Sequence, residues 1–362
     1  MVWALVGLLA GLLLAEVLIQ LRAVRVVLAM IENSPPFRIE SLPPDPDAER
    51  FEVQTKDGLT LRGSIYRQAE RAPRGLIVFC HEFGGNHWSA MLYASALWKA
   101  GFDVLAFDFR NLGESDKLAG YEPLHWLTHY EVIDLHAVLD YIQQRPDLRE
   151  FPLGLFGISR GGNAALYAAA VRSEVRCVAS DGAFETRLML LAHARRWISL
   201  VVTERVAELV PWWHVRFTLW LARMASQFRR RCRYAMLEGV LPKLKDKPLL
   251  VVIGERDTYV LAEVPAEMCR LAGQPDALWV VPHAKHNMAR LVDAKEYDRR
   301  LVEFFAVLDR TGETPLSEVS RAAIPVNSSR VSAESNVAAV RPTAPVRFSI
   351  WSFWRGWVVA GR

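Results

Sequence analysis

Three side chains with the chemistry of acyl transfer stand in one order along this chain: Ser159, Asp257 and His286. Ser159 lies in LGLFGISRGGNAALYAAA, residues 153–170, where an apolar run meets a stretch of small residues with helical character. Gly157 and Gly161 flank it and permit a tight turn that projects the hydroxyl above the end of a strand. The helix that follows aims its N-terminus, with partial positive charge and free N–H groups, at the same spot. A serine hydroxyl is a weak nucleophile near neutral pH, so it needs a base, and the base needs an orienting acid. Asp257 follows the apolar run PLLVVIG and His286 follows LWVVP, which carries both to the strand ends beside Ser159. His283 is a rival base and Asp181 a rival acid. His286 is favoured because it sits in the loop before the last helix, whereas His283 follows Pro282 directly. His125, His129, His136, His193 and His214 read as ordinary helix or cap residues. The loop HEFGGN, residues 81–86, places the backbone N–H of Phe83 where it can join that of Arg160 in holding an oxyanion.

The elements that must position these groups are legible as period and punctuation. FEVQTKDGLTLRGSIYR reads as two strands about a turn at Lys56-Asp57-Gly58. Runs at 75–80, 103–109, 153–159, 175–180, 248–254 and 278–282 are apolar throughout, as parallel strands buried on both faces are. Between them, HYEVIDLHAVLDYIQQ places Val132, Ile133, Leu135, Leu139 and Ile142 on one helical stripe. NAALYAAAV and MARLVDAKEYDRRLVEFFAVL are helical too. The expectation is an α/β fold, a mostly parallel sheet with helices on both faces, over residues 51–182 and 248–310. Residues 183–247 break the rhythm as a helical cap rich in tryptophan and arginine.

The 362 residues carry a net charge of +4, a small difference between 44 basic and 40 acidic side chains that names no partner by itself. Half the composition is apolar, which excludes disorder of the whole chain. Cys80, Cys177, Cys232 and Cys269 show no CxxC spacing, so neither a zinc site nor a disulfide framework is expected. A reducing compartment suits such a chain. Residues 1–31 open with about 20 apolar residues, the length that spans a bilayer. Met1 to Leu5 lack the basic start of a cleaved signal, and Arg22 and Arg25 would hold the following domain in the cytoplasm. Glu16 inside the span must snorkel or pair. The alternative is an amphipathic arm docked on the domain. Residues 32–50 read as a Pro-rich linker and 311–362 as a disordered tail, whose VRFSIWSFWRGWVV end would suit an interfacial contact.

Taken together, HEFGG, DFRNLGES, GISRGG, GERD and HAKHN resemble the α/β-hydrolase superfamily, most closely its serine hydrolases of the esterase, lipase and serine-aminopeptidase type, bacterial membrane-anchored members included. The resemblance spans about residues 51–308. It implies Ser159 as nucleophile, Asp257 as acid, His286 as base, Phe83 and Arg160 as oxyanion donors, and 183–247 as a cap over the site. No cofactor and no metal are implied. Relatives that act on haloalkanes or epoxides use aspartate where Ser159 stands. Where the family often has His-Gly in the oxyanion loop, this chain has His81-Glu82, and catalysis expects Glu82 to turn outward toward a basic neighbour. The implied reaction is hydrolysis of a small-molecule or lipid-like acyl ester at a membrane. A peptidase, thioesterase or acyltransferase shares the machinery, and a tethered binding module shares the fold. Arg229, Arg230, Arg231 and Arg233 form a basic cluster without a nucleic-acid-binding fold, so no nucleic-acid partner is expected.

Overall fold

The computed structural model describes residues 2–33, 42–69, 72–201 and 211–309, with the side chains of 195–201 outside the description. The expected tail at 311–362, residues 34–41 of the linker and residues 202–210 of the cap lie outside the described residues.

Eight strands form one sheet in the order β1-β2-β4-β3-β5-β6-β7-β8. β1 (Glu49–Gln54) and β2 (Thr60–Tyr66) are the expected hairpin, with Gly58 at φ +86 in its turn. β2 pairs antiparallel with β4 (Asp103–Phe107), and from there every pairing is parallel. β3 (Leu76–Cys80), β5 (Leu153–Ile158), β6 (Val175–Asp181) and β7 (Leu249–Gly254) form the centre, and β8 (Leu278–Val281) the edge. Because side chains alternate along a strand, the all-apolar central strands feed two cores at once. Leu76, Val78 and Leu155 face one, and Ile77, Phe79 and Phe156 face the other.

Helices cover both faces. Following α1 (Val2–Glu32), α2 (Ala90–Lys99) packs on the second core, and α3 (His129–Gln144) on the first. The short α4 (Pro146–Arg149) precedes β5, and α5 (Arg160–Val171) follows it, packed on the first core. α3 opens with a capping box: the Thr128 hydroxyl accepts from the Tyr130 N–H at 3.2 Å, and Glu131 accepts from the Thr128 N–H at 2.8 Å. Between β6 and β7 the chain is helical as expected, with α6 (Thr186–Val201) and α7 (Trp212–Arg230). α8 (Glu263–Leu271), α9 (Ala289–Val292) and α10 (Ala294–Phe305) complete the layers, α10 burying Tyr297, Leu301 and Phe305 against the second core.

α1 is long and apolar enough to cross a membrane, with a mean hydropathy of 2.4 over an 18-residue window of which nothing is buried. Its C-terminal part is docked: Ile31 is fully buried and its carbonyl accepts from the Trp126 indole N–H at 2.8 Å. All four cysteines are buried free thiols.

Candidate active site

Ser159 ends β5 and caps α5 with φ +50 and ψ −117, a backbone conformation that L residues avoid and that functional positions retain. Its N–H donates to the Asp181 carbonyl at 2.7 Å, which ties the turn to the neighbouring strand. The flanking glycines are required by contact, not merely by flexibility. A Cβ on Gly157 would lie 2.4 Å from the Gly161 carbonyl oxygen, and one on Gly161 would lie 2.1 Å from that of Cys80. The end of β3, the turn and the first turn of α5 therefore pack backbone to backbone.

Asp257 and His286 arrive from the loops after β7 and β8. Ser159 Oγ is 3.1 Å from His286 Nε2, and His286 Nδ1 is 2.7 Å from Asp257 Oδ2. The other carboxylate oxygen, Oδ1, accepts from the Tyr259 and Val260 N–H groups, both at 2.8 Å. This fixes the tautomer: Nδ1 carries the proton and donates to Asp257, and Nε2 is free to accept from the serine. The three residues are each less than 10 % exposed. Gly182, at φ +68, makes room for the imidazole, since a Cβ there would lie 3.0 Å from His286 Cε1. Tyr259 packs its edge on the imidazole with centroids 4.9 Å apart, and the Tyr259 carbonyl is 3.0 Å from Nε2 of His193 on α6.

The rivals are separated by geometry. The His283 side chain is 68 % exposed, with Nδ1 3.5 Å from Glu255. Asp181 accepts from the Tyr297 hydroxyl at 2.9 Å in the second core, and its burial pushes its carboxyl up to about 7.

The loop after β3 differs from expectation at Glu82. The side chain does not turn outward to a basic partner; it is 1 % exposed and accepts from the Tyr93 hydroxyl at 3.2 Å. Burial raises its carboxyl to about 7, so near neutrality much of it is protonated and no full charge need stand beside a developing oxyanion. Gly85 folds back over it, its N–H donating to the Glu82 carbonyl at 3.1 Å. Phe83 and Arg160 are neighbours: the Arg160 guanidinium carbon lies 5.2 Å from the Phe83 ring centroid, and the same cation faces Phe109 at 5.5 Å. Among the described residues neither backbone N–H has an acceptor.

His81 contributes something the sequence did not signal. Its buried ring bridges this loop to the loop after β4, Nδ1–H donating to the Glu82 carbonyl at 2.7 Å while Nε2 accepts from the Phe109 N–H at 3.3 Å. Burial lowers its pKa to about 4, which keeps the ring in the neutral form those two bonds need. Arg160 is a second such residue. Its side chain donates to the Leu124 carbonyl at 2.9 Å and lies 3.4 Å from Glu131, linking the nucleophile turn to the cap of α3. In DFRNLGES, Asp108 accepts from the His87 and Glu114 N–H groups at 2.6 and 2.7 Å and thereby shapes the loop after β4. Among the described residues, no group of three or more His, Cys, Asp or Glu side chains is arranged to hold a metal ion.

Residues 75–223 match the model of a family described as the alpha/beta hydrolase fold. An esterase of Pyrococcus furiosus superposes with a TM-score of 0.55 at 22 % identity, covering 76 % of this chain and 98 % of that one. An uncharacterized 31.7 kDa protein of Escherichia coli is 26 % identical over 208 residues, 55 % of this chain and 71 % of the relative. A thiohydrolase of Aspergillus aculeatus is 31 % identical over 130 residues, 36 % of this chain and 39 % of that protein. With a hairpin entering a parallel sheet, a serine at the strongly bent junction of β5 and α5, and the family match over residues 75–223, the chain has the α/β-hydrolase fold.

Proposed function

We propose that the protein is a membrane-anchored serine hydrolase that cleaves carboxylic esters or related acyl bonds through an acyl-enzyme. The observation that carries the reading is the continuous hydrogen-bonded line from Ser159 Oγ through His286 to Asp257, at 3.1 and 2.7 Å. In the first half-reaction His286 Nε2 takes the serine proton as Oγ attacks the acyl carbonyl. Asp257 holds the imidazolium, and the N–H groups of Phe83 and Arg160 receive the oxyanion. The imidazolium then protonates the departing alkoxide, leaving Ser159 acylated. Water, deprotonated by the same nitrogen, releases the acid and restores the serine. α1 serves as the membrane anchor, and Arg22 and Arg25 after its apolar stretch favour a cytoplasmic catalytic domain. A cleaved signal fits less well, because α1 uses Ile31 and Gln20 in contacts with the folded domain.

The test is labelling of the detergent-solubilised protein by a fluorophosphonate, beside Ser159→Ala and His286→Ala, with short- and long-chain p-nitrophenyl esters as substrates. Labelling and turnover lost in both variants support the reading. A folded wild-type protein that neither labels nor turns over overturns it in favour of a tethered binding module. Likeness to a protein named a thiohydrolase is a reason to include an acyl thioester in the panel.

A further inference from the structure

We propose that the cap helix α7 is itself a membrane-docking element, locked parallel to α1, which seats Trp213, Phe217 and Trp220 in the interfacial layer of an anionic bilayer. The proposal rests on the reading of α1 as a membrane anchor and deepens the hydrolase reading by naming the surface from which its lipid-like substrate comes.

The first observation is the pairing of the two helices. Glu16 lies 3.0 Å from His214 Nδ1, Gln20 accepts from the Thr218 hydroxyl at 2.8 Å, and Glu32 lies 3.6 Å from Arg230. Each pair keeps the same sequence offset, which happens only when two helices run side by side in the same direction. The Gln20 amide nitrogen is also 3.2 Å from His214 Nε2 and donates to Glu16 at 3.0 Å. The polar residues that interrupt the apolar helix are thus satisfied by α7. A carboxylate and an amide in an apolar segment face a protein partner for this reason.

The second is what α7 leaves uncovered. Its buried side, with Val215, Thr218, Leu219 and Ala222, turns to α1 and the domain. The opposite side carries Trp213, Arg216, Phe217 and Trp220 at helical spacing, all exposed, Trp213 by 65 % and Trp220 by 48 %. Phe217 and Trp220 stack at 5.9 Å with their rings nearly parallel, forming a continuous aromatic surface. By the same offset Phe217 stands level with Ile19 of α1, which, like Leu18, is more than half exposed.

The third is depth. The twenty residues from Val2 to Leu21, apolar apart from Glu16 and Gln20, rise about 30 Å, the thickness of a bilayer's hydrocarbon core, so Arg22 marks its boundary. By the shared offset, Trp220 stands level with Arg22 and Trp213 about 10 Å further in. That is the depth reached by an interfacial helix, and tryptophan with a snorkelling arginine is the composition such a layer selects. Beyond Trp220, on the aqueous side, Arg229, Arg231 and Arg233 line an open crevice of about 610 Å³. Arg231 and Arg233 have no carboxylate partner among the described residues, which suits phospholipid headgroups of negative charge.

The test uses the full chain in nanodiscs of mixed phosphatidylcholine and phosphatidylglycerol. Phe217→Cys is spin-labelled, with Ile19→Cys as the membrane reference and Leu291→Cys, 79 % exposed in the native chain, as the water reference. The native cysteines are buried, which favours selective labelling. The expected result is an oxygen-to-nickel-chelate accessibility at position 217 matching position 19. A value matching position 291, or low accessibility to both relaxants as in a protein interface, overturns the proposal. In a second arm, Trp213→Ser/Trp220→Ser lowers hydrolysis of a bilayer-embedded acyl ester about tenfold while leaving a soluble acetyl ester unchanged. Equal rates on both substrates, relative to wild type, overturn the claim that substrate comes from the bilayer. A wild type inactive on both esters sinks the hydrolase reading alone, since the label depth decides docking without any turnover.

Discussion

Replacing Asp257 by asparagine tests the site's logic with almost no change of shape. One carboxylate oxygen accepts two backbone N–H groups at 2.8 Å, and the other accepts the His286 Nδ1 proton at 2.7 Å. Asparagine has one oxygen for these three donors. If that oxygen keeps the Tyr259 and Val260 N–H groups, the amide NH2 faces His286 and demands a lone pair on Nδ1. The imidazole proton then moves to Nε2, which points a donor at Ser159 and removes the base. A flipped amide, or the original tautomer held against the NH2, leaves two buried donors with no acceptor. Each stranded donor costs about 1–3 kcal/mol, so the productive arrangement lies about 2–6 kcal/mol above the inert one. The rate falls between about 30-fold and 10⁴-fold. The assay is kcat/KM on a soluble p-nitrophenyl ester with the fluorophosphonate labelling rate beside it. Nitrogen NMR of His286 reads the tautomer, and a melting midpoint close to wild type shows that the isostere folds. Activity within about threefold of wild type, or Nδ1 still protonated in the variant, would refute the reasoning. Asp181→Asn is the control: its side chain bonds Tyr297 rather than the base, and its activity stays within a few-fold of wild type.

Three further outcomes follow from the same geometry. Ser159→Gly relieves the positive φ and raises unfolding stability by about 1–3 kcal/mol, whereas Ser159→Ala abolishes activity without that gain; denaturant unfolding of the two variants checks it. Gly161→Ala brings a methyl to 2.1 Å from the Cys80 carbonyl oxygen, about 1.3 Å inside the 3.4 Å where ordinary contact begins. The elbow must shift by a comparable distance, so kcat drops about 100-fold, while Gly162→Ala, whose nearest neighbour is at 3.0 Å, loses far less. Glu82 and Asp181 set a pH dependence. Both carboxyls are raised by burial to about 7 from ordinary values of 4.5 and 3.8, so the folded chain keeps protons that the unfolded chain releases. Their contribution is full below about pH 4 and is lost as pH rises to about 7, at a cost of roughly 3 kcal/mol for Glu82 and roughly 4 kcal/mol for Asp181. Glu82→Gln therefore melts higher than wild type at pH 8.5 and the two converge near pH 4; a constant difference across that range would contradict the assignment.

Much of the fold lies open in local pattern. The six apolar runs become strands β3 to β8 because side-chain alternation within a buried sheet is a property of neighbouring residues, and the Lys56-Asp57-Gly58 turn needs nothing beyond its own backbone. The nucleophile turn is equally local, since Gly157 and Gly161 flank Ser159 within one strand-to-helix junction. The order of Ser159, Asp257 and His286 follows from loops at the same edge of a parallel sheet. Which acid and which base meet the serine is another matter. His283 and His286 share one loop, and the choice between them depends on how that loop packs against the Gly182 turn, just over a hundred residues away in sequence. The inward turn of Glu82 needs Tyr93 and a second core to receive it, and the His81 bridge needs Phe109 from the loop after β4. Glu16 and Gln20 read as flaws in a membrane span until α7 is set beside them with His214 and Thr218. Periodicity, turns and caps are short-range consequences of backbone sterics and alternating burial. Partners for buried polar groups are chosen by long-range packing, because desolvation penalises any arrangement that leaves them alone.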